Sequence, residues 1–219
     1  MRLLPAITIT VASLISVPAS AASITGLVNT GASFTAGQTD TNYSFASLGG
    51  TATGTGGYGV VAPDTGFPIG PWIANTSASK WLAPTSNAAQ SYDPVVDGNY
   101  KWTLSFDLTG YIPNTASFAG RWAADNGGTV KLNGNLLGSS SGFTTFSSFS
   151  ANSGFVGGIN TLDFYVTNYA RDGGNPTGLR VEFLQSSVTP VPEPETYALL
   201  LAGLGLMGTI ARRRKNSPV

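Results

Sequence analysis

Residues 100–108 read YKWTLSFDL: Tyr100, Trp102, Leu104, Phe106 and Leu108 alternate with Lys101, Thr103, Ser105 and Asp107. Successive side chains of a strand point to opposite faces, so this stretch has one dry face and one wet face. The same period recurs at Leu162, Phe164 and Val166, set against Thr161, Asp163, Tyr165 and Thr167. It recurs again at Leu179, Val181 and Phe183, set against Arg180 and Glu182. Val130 and Leu132 flank Lys131, and Phe118 and Trp122 share one parity around Arg121. Turn-forming clusters divide these runs: Asp97-Gly98-Asn99, Asn126-Gly127-Gly128, Asn133-Gly134-Asn135 and Asp172-Gly173-Gly174-Asn175. Strands with one dry face must pack in two layers. The pattern predicts an all-β antiparallel β-sandwich of jelly-roll type.

Upstream the pattern is weaker. Residues 24–28 and 43–45 are expected to form edge strands, and the GGTATGTGGYG stretch at 49–59 a low-complexity loop. Residues 66–84, GFPIGPWIANTSASKWLAP, carry three prolines and two tryptophans. A long loop is expected there, laying Trp72 and Trp81 on the end of the sandwich.

Composition bounds the chemistry. With 219 residues one domain is expected, and 42% apolar residues suffice for a core. Cysteine and histidine are absent, which excludes disulfides, thiolate catalysis, zinc sites built on those residues and serine–histidine triads. Eleven basic side chains balance eleven acidic ones, so a basic nucleic-acid binder is not expected.

The two ends are addresses rather than fold. Residues 1–21 read as a signal peptide: Arg2 leads an apolar stretch too short to span a bilayer, and Ala19-Ser20-Ala21 fits the small-x-small cleavage pattern. Ala22 is then the mature N-terminus. At the other end PVPEP (190–194) precedes TYALLLAGLGLMGTIA (196–211), 16 residues without charge, and then Arg212, Arg213, Arg214 and Lys215. At 1.5 Å per residue that run covers about 24 Å as a helix, short of a hydrocarbon layer of roughly 30 Å. It can span only with thinning of the bilayer or help from its flanks, the cations keeping the end cytoplasmic.

This order of blocks resembles the PEP-CTERM sorting signal of Gram-negative bacteria, with Pro192-Glu193-Pro194 as the defining tripeptide. The resemblance implies export through the secretion translocon and signal peptidase, and transient anchoring in the inner membrane. It also implies processing by an exosortase, and association with exopolysaccharide or biofilm at the cell surface or in the matrix. The chain divides accordingly into a signal (1–21), an exported body (22–189) and a sorting signal (190–219). Within the body, residues 120–134 and 157–183 resemble the later half of galactose-binding-like β-sandwiches, a family that includes carbohydrate-binding modules and domains with no known ligand.

Several constellations are candidates for function. Trp122 with Asp125, Asn126, Asn133 and Asn135 has the makings of a sugar site, since an aromatic face covers the apolar side of a pyranose and Asp or Asn bonds its hydroxyls. The same residues also read as core and turn formers. Trp72 and Trp81, on a loop, are a second candidate, with a hydrophobic lid as the alternative. Asp93, Asp97, Asp172 and Asn175 could hold a structural calcium ion, although no EF-hand or repeat spacing is present. No other cofactor is expected. No pair of acids is placed as in a glycosidase, and three threonines at 51, 53 and 55 are too few for an ice-binding face. The reading is a non-catalytic carbohydrate-binding module. The alternative is a structural surface or matrix protein without a small ligand, and a polysaccharide hydrolase comes a distant third. A binding module predicts an exposed aromatic near polar loops; a structural protein predicts buried tryptophans.

Overall fold

The computed structural model describes residues 20–192 and 194–215. Residues 1–19 of the stretch read as a signal peptide, Ala19 included, lie outside the described residues, as does Glu193. Ten strands are followed by one helix. The strands are β1 (Thr39–Gly49), β2 (Tyr58–Val61), β3 (Leu82–Ala83), β4 (Gly98–Asp107) and β5 (Tyr111–Asp125). After them come β6 (Gly127–Leu132), β7 (Asn135–Ser140), β8 (Ser147–Ala151), β9 (Ile159–Asn168) and β10 (Gly178–Pro190). They form a single antiparallel sheet in the order β7-β6-β9-β4-β1-β2-β3-β10-β5-β8. The sheet folds over on itself, so that its two layers face each other and the edge strands β7 and β8 lie close together. Sheet edges expose unpaired backbone, and bringing the two edges together limits that exposure.

The alternation read at 100–108 sits in β4, where Tyr100, Trp102, Leu104 and Phe106 are buried. β9 pairs beside it in unbroken register from Gly98↔Asn168 to Asp107↔Ile159. Its Phe164 reaches across the core to Trp122 of β5 and Phe149 of β8, with ring centroids 5.4 and 5.8 Å apart. The contact with Phe149 is edge-to-face, an arrangement that adds to plain burial. Asn133 and Gly134 close the β6–β7 hairpin with φ of 48° and 86°, the left-handed pair that a two-residue turn needs.

Three expectations are corrected. Residues 24–28 form no strand; that segment is held by an isolated Ala22↔Val188 bridge and by side-chain contacts. Residues 43–45 belong to the longer β1, which is an interior strand between β2 and β4. β10 does not alternate wet and dry, because Arg180 and Glu182 are as buried as Leu179 and Val181. The reason is the loop at 66–81, which lies over the outer face of β10 and forms a second apolar cluster of Trp72, Trp81, Ala83 and Ala123. Trp72 and Trp81 stack there with centroids 4.3 Å apart. Gly178 makes room: a Cβ on it would stand 2.6 Å from the Trp72 ring and 2.8 Å from the Leu82 carbonyl oxygen.

Beneath that loop lies an ion cluster in which Arg180 and Glu182 are buried and Arg121 reaches solvent. Glu182 accepts hydrogen bonds from Ser79 Oγ (2.7 Å) and Arg121 Nε (2.6 Å), and pairs with Arg180 Nη2 at 3.2 Å. Arg180 also donates to the carbonyls of Ile73 and Ala74 and to Thr76 Oγ1. The Phe146 ring receives both guanidiniums, 4.4 Å from Arg121 and 5.0 Å from Arg180. Burial pushes the Glu182 carboxyl up, but the Ser79 hydroxyl and the two arginines outweigh it and hold it below its ordinary value. Burial draws the Arg180 guanidinium down despite Glu182. Charges so placed must be paired, and here the pairing fastens the loop to the sheet.

The helix α1 (Pro194–Lys215) starts on a proline, a residue whose fixed φ suits a first helical position. It is longer than the uncharged run, but the added length carries charge, Glu195 before the run and Arg212 to Lys215 after it. Among the described residues no helix is long and apolar enough to cross a membrane.

Candidate functional site

At one end of the sandwich β5 passes into β6 through Asp125 and Asn126, joined by a cis peptide bond. Asn126 N donates to Thr167 O (2.9 Å), and its side-chain oxygen accepts from Tyr169 N (2.7 Å). These bonds tie the β5–β6 turn to the end of β9. Thr177 Oγ1 donates to Asp125 O (2.7 Å) and adds the start of β10 to the same frame. The long loop arrives from the other side, where Trp72 Nε1 donates to Asp125 Oδ2 at 2.8 Å. Between these segments lies a cleft of about 260 Å³, lined by Phe67, Trp72, Asp125, Asn126, Tyr169 and Arg171 among others.

The lining is mixed in character. Asp125 is only 4% exposed, and that burial pushes its carboxyl up to about 7, with the Trp72 bond pulling the other way. Phe67 and Tyr169 are exposed aromatics at 49% and 57%. Arg171 brings an exposed cation. A perturbed carboxyl in a cleft beside accessible aromatic faces and a guanidinium makes this cleft the candidate binding site. Two other hollows, of about 610 Å³ against residues 23–34 and about 380 Å³ beside β1 and β4, contain no ionisable group except Tyr58.

The predicted residues divide. Asp125, Asn126 and Trp72 meet at this cleft, although Trp72 is buried and offers the cleft only part of its ring. Trp122 points into the core and is fully buried. Trp81 is buried behind Trp72, its Nε1 donating to Ile73 O at 2.8 Å. Asn133 and Asn135 are not brought to the cleft. They stand at the far end of β6, six residues or about 20 Å away. Asn133 is spent on structure there, bonding Gly154 O and Asn160 Oδ1 and accepting from Thr161 N. Residue-type reasoning missed Tyr169, Arg171 and Phe67. The only signal for Tyr169 and Arg171 was the run NYARDGGN, where an aromatic and a cation sit against a turn, and Phe67 stood unremarked in the 66–84 loop.

The four proposed calcium ligands are occupied or apart. Asp93 is buried and accepts from Thr51 N (2.8 Å), Tyr100 OH (2.7 Å) and Asn168 Nδ2 (2.8 Å). Asp97 accepts from Ala170 N, while the Asn175 amide donates to the carbonyls of Tyr92 and Tyr169. Asp172 is exposed. Among the described residues no three Asp, Glu, His or Cys side chains gather in one group. Asp93, Asp97 and Asn175 fasten the loops at 91–97 and 169–176 to each other, and the second of these loops forms one wall of the cleft.

Comparison with known proteins adds the following. Residues 190–215 match the PEP-CTERM protein-sorting motif. No curated protein matches the chain at a significant level. Among solved structures it is similar to a PA14 sugar-binding domain from an RTX adhesin, at 19% identity and a TM-score of 0.24, over 41% of this chain and 47% of that one. The chain thus spans about half the length of that relative. It is also similar to the CBM36-1 domain of a multidomain xylanase from the hindgut metagenome of Trinervitermes trinervoides, at 12% identity and a TM-score of 0.31, over 69% of this chain and 100% of that one. A family 35 carbohydrate binding module from an environmental isolate is similar at 12% identity and a TM-score of 0.30, over 71% of this chain and 97% of that one. With scores this low, the account of the fold rests on the strands and their pairing.

Proposed function

We propose that this chain is an exported protein of the cell surface or extracellular matrix that binds carbohydrate without transforming it. In this reading residues 1–21 direct export and 22–189 form the working body. Residues 190–219 hold that body at the inner membrane, by a helix that spans with thinning of the bilayer or help from its flanks, until an exosortase processes the tail. The sorting match supports the tail's role. One observation carries the role of the body: the cleft where the exposed Tyr169 ring stands beside Asp125, Asn126 and Arg171. An aromatic face, a carboxyl, an amide and a guanidinium are the groups that recognise a sugar ring and its hydroxyls. The volume lies near the small end of ligand sites, which start at roughly 300 Å³, and suits a single sugar residue or chain end. Glycoside hydrolysis uses two facing carboxyls, whereas Asp125 is the one acid among the described residues that line this cleft.

The burial of Trp72, Trp81, Trp102 and Trp122 favours the second reading, a structural protein without a small ligand, because it removes the platform that a tryptophan would supply. Affinity electrophoresis through a panel of bacterial exopolysaccharides separates the two. Carbohydrate binding predicts retardation in at least one gel, reduced by Tyr169→Ala; unretarded migration in all of them decides for the structural role.

A further inference from the structure

The sandwich has two ends that differ in chemistry. β10 starts at Gly178, opposite Asp125 beside the cleft, and ends at Pro190, opposite Tyr111. Its 13 residues, at about 3.3 Å each, set the two ends about 40 Å apart. The turns of the Pro190 end are bonded together: Leu108 N donates to Gly158 O, Asn133 Nδ2 to Gly154 O, and Val191 N to Gly110 O. The matched sorting motif begins at this same end, at residue 190.

The Pro190 end carries almost no charge. The chain has no Asp, Glu, Lys or Arg between Asp107 and Arg121, between Lys131 and Asp163, or between Glu182 and Glu193. The nearest acid, Asp107, stands at its edge and accepts from Thr109 N and Oγ1. In place of charge the end exposes aliphatic side chains: Ile112 (36%), Leu136 (66%), Val156 (47%), Ile159 (63%) and Val191 (50%). The cleft end also exposes aliphatics, Val95 (82%) and Val96 (68%), but it differs in charge, with Asp97, Arg171 and Asp172 all exposed beside them.

We propose that the Pro190 end is a lipid-docking surface, seated on the bilayer that receives the tail, so that the cleft is held facing away from the membrane. The proposal rests on reading the tail as a membrane anchor. Connectivity sets the distance: four steps of chain separate Pro190, the last residue of β10, from Pro194, the first of α1, and span at most about 14 Å. An inserted helix therefore brings this end to the headgroup layer whatever the linker does. A charged end would resist that approach through the cost of desolvation, whereas an uncharged end with exposed aliphatics gains by it. The tether also supplies a high effective concentration, so a weak contact suffices.

The chain contains no cysteine, so single labels can be placed at will. Val156→Cys marks the docking end, Asp172→Cys the cleft end and Met207→Cys the helix. Each full-length variant carries a polarity-sensitive fluorophore and is reconstituted into phosphatidylethanolamine–phosphatidylglycerol vesicles containing spin-labelled quencher lipids. Docking predicts strong quenching at 207, quenching at 156 several-fold above that at 172, and loss of the 156 signal alone when Ile159→Asp is added. Quenching at 207 with equal signals at 156 and 172 leaves the tail inserted and overturns the docking surface. Absence of quenching at 207 overturns the anchor reading, and the docking surface falls with it.

Discussion

Replacing Asp125 by Asn should change how the protein's stability responds to pH. The carboxyl is 4% exposed and its pKa is pushed up to about 7 by burial, against an ordinary 3.8. The folded protein therefore holds this proton after the unfolded chain has released it. Between the two values the unfolded state binds fewer protons, so stability falls as pH rises. The penalty is absent below about 3.8, grows through the window and is complete above about 7. The gap corresponds to about 4 kcal/mol. Asn at position 125 can still accept from Trp72 Nε1, through its carbonyl oxygen, but cannot ionise. Urea unfolding followed by the fluorescence of the four buried tryptophans, at intervals from pH 4 to 8, measures the difference. The two proteins should match near pH 4, and Asp125→Asn should be the more stable by up to about 4 kcal/mol at pH 8. Parallel curves across the range would refute the claim that Asp125 is folded into a poorly solvated site.

Other consequences are also measurable. Glu182→Ala strands the buried Arg180 and should cost about 3–5 kcal/mol in the same unfolding assay. Because the pKa of Glu182 is lowered in the folded state, its contribution should be complete above the unfolded value of 4.5 and disappear as pH falls below it. Gly128→Ala would place a Cβ 1.8 Å from the Tyr165 carbonyl oxygen, so the β6–β9 pairing must shift and stability should drop by about 3 kcal/mol. Tyr169→Ala, by contrast, removes a ring that is 57% exposed and should leave the melting temperature within a degree or two while weakening retention on polysaccharide.

The sequence announced β4 and β9 because their two faces meet different surroundings: Tyr100, Trp102, Leu104, Leu162, Phe164 and Val166 face the core, and their neighbours do not. The Asn133-Gly134 hairpin was equally legible, since few residue pairs accept positive φ at both positions. β10 misled for a related reason. Arg180 and Glu182 look like a wet face, and only the distant residues 73–79 reveal that a loop covers and pairs them. The site was legible in part. Asp125 and Asn126 stood out as turn residues, but Asn133 and Asn135 stood out equally and lie at the other end of β6. The tryptophans attracted attention by type, whereas the exposed aromatics at the cleft are Tyr169 and Phe67. Which aromatic faces water depends on how the 66–84 loop lies, and local pattern does not encode that.

The most direct test of the central claim is backbone amide NMR of the labelled protein, titrated with oligosaccharides cut from a polysaccharide that retards it. The account predicts shift changes concentrated at residues 67–72, 125–126 and 169–176, with saturable dependence on concentration. Changes centred on another face, or no saturable change at all, would contradict it.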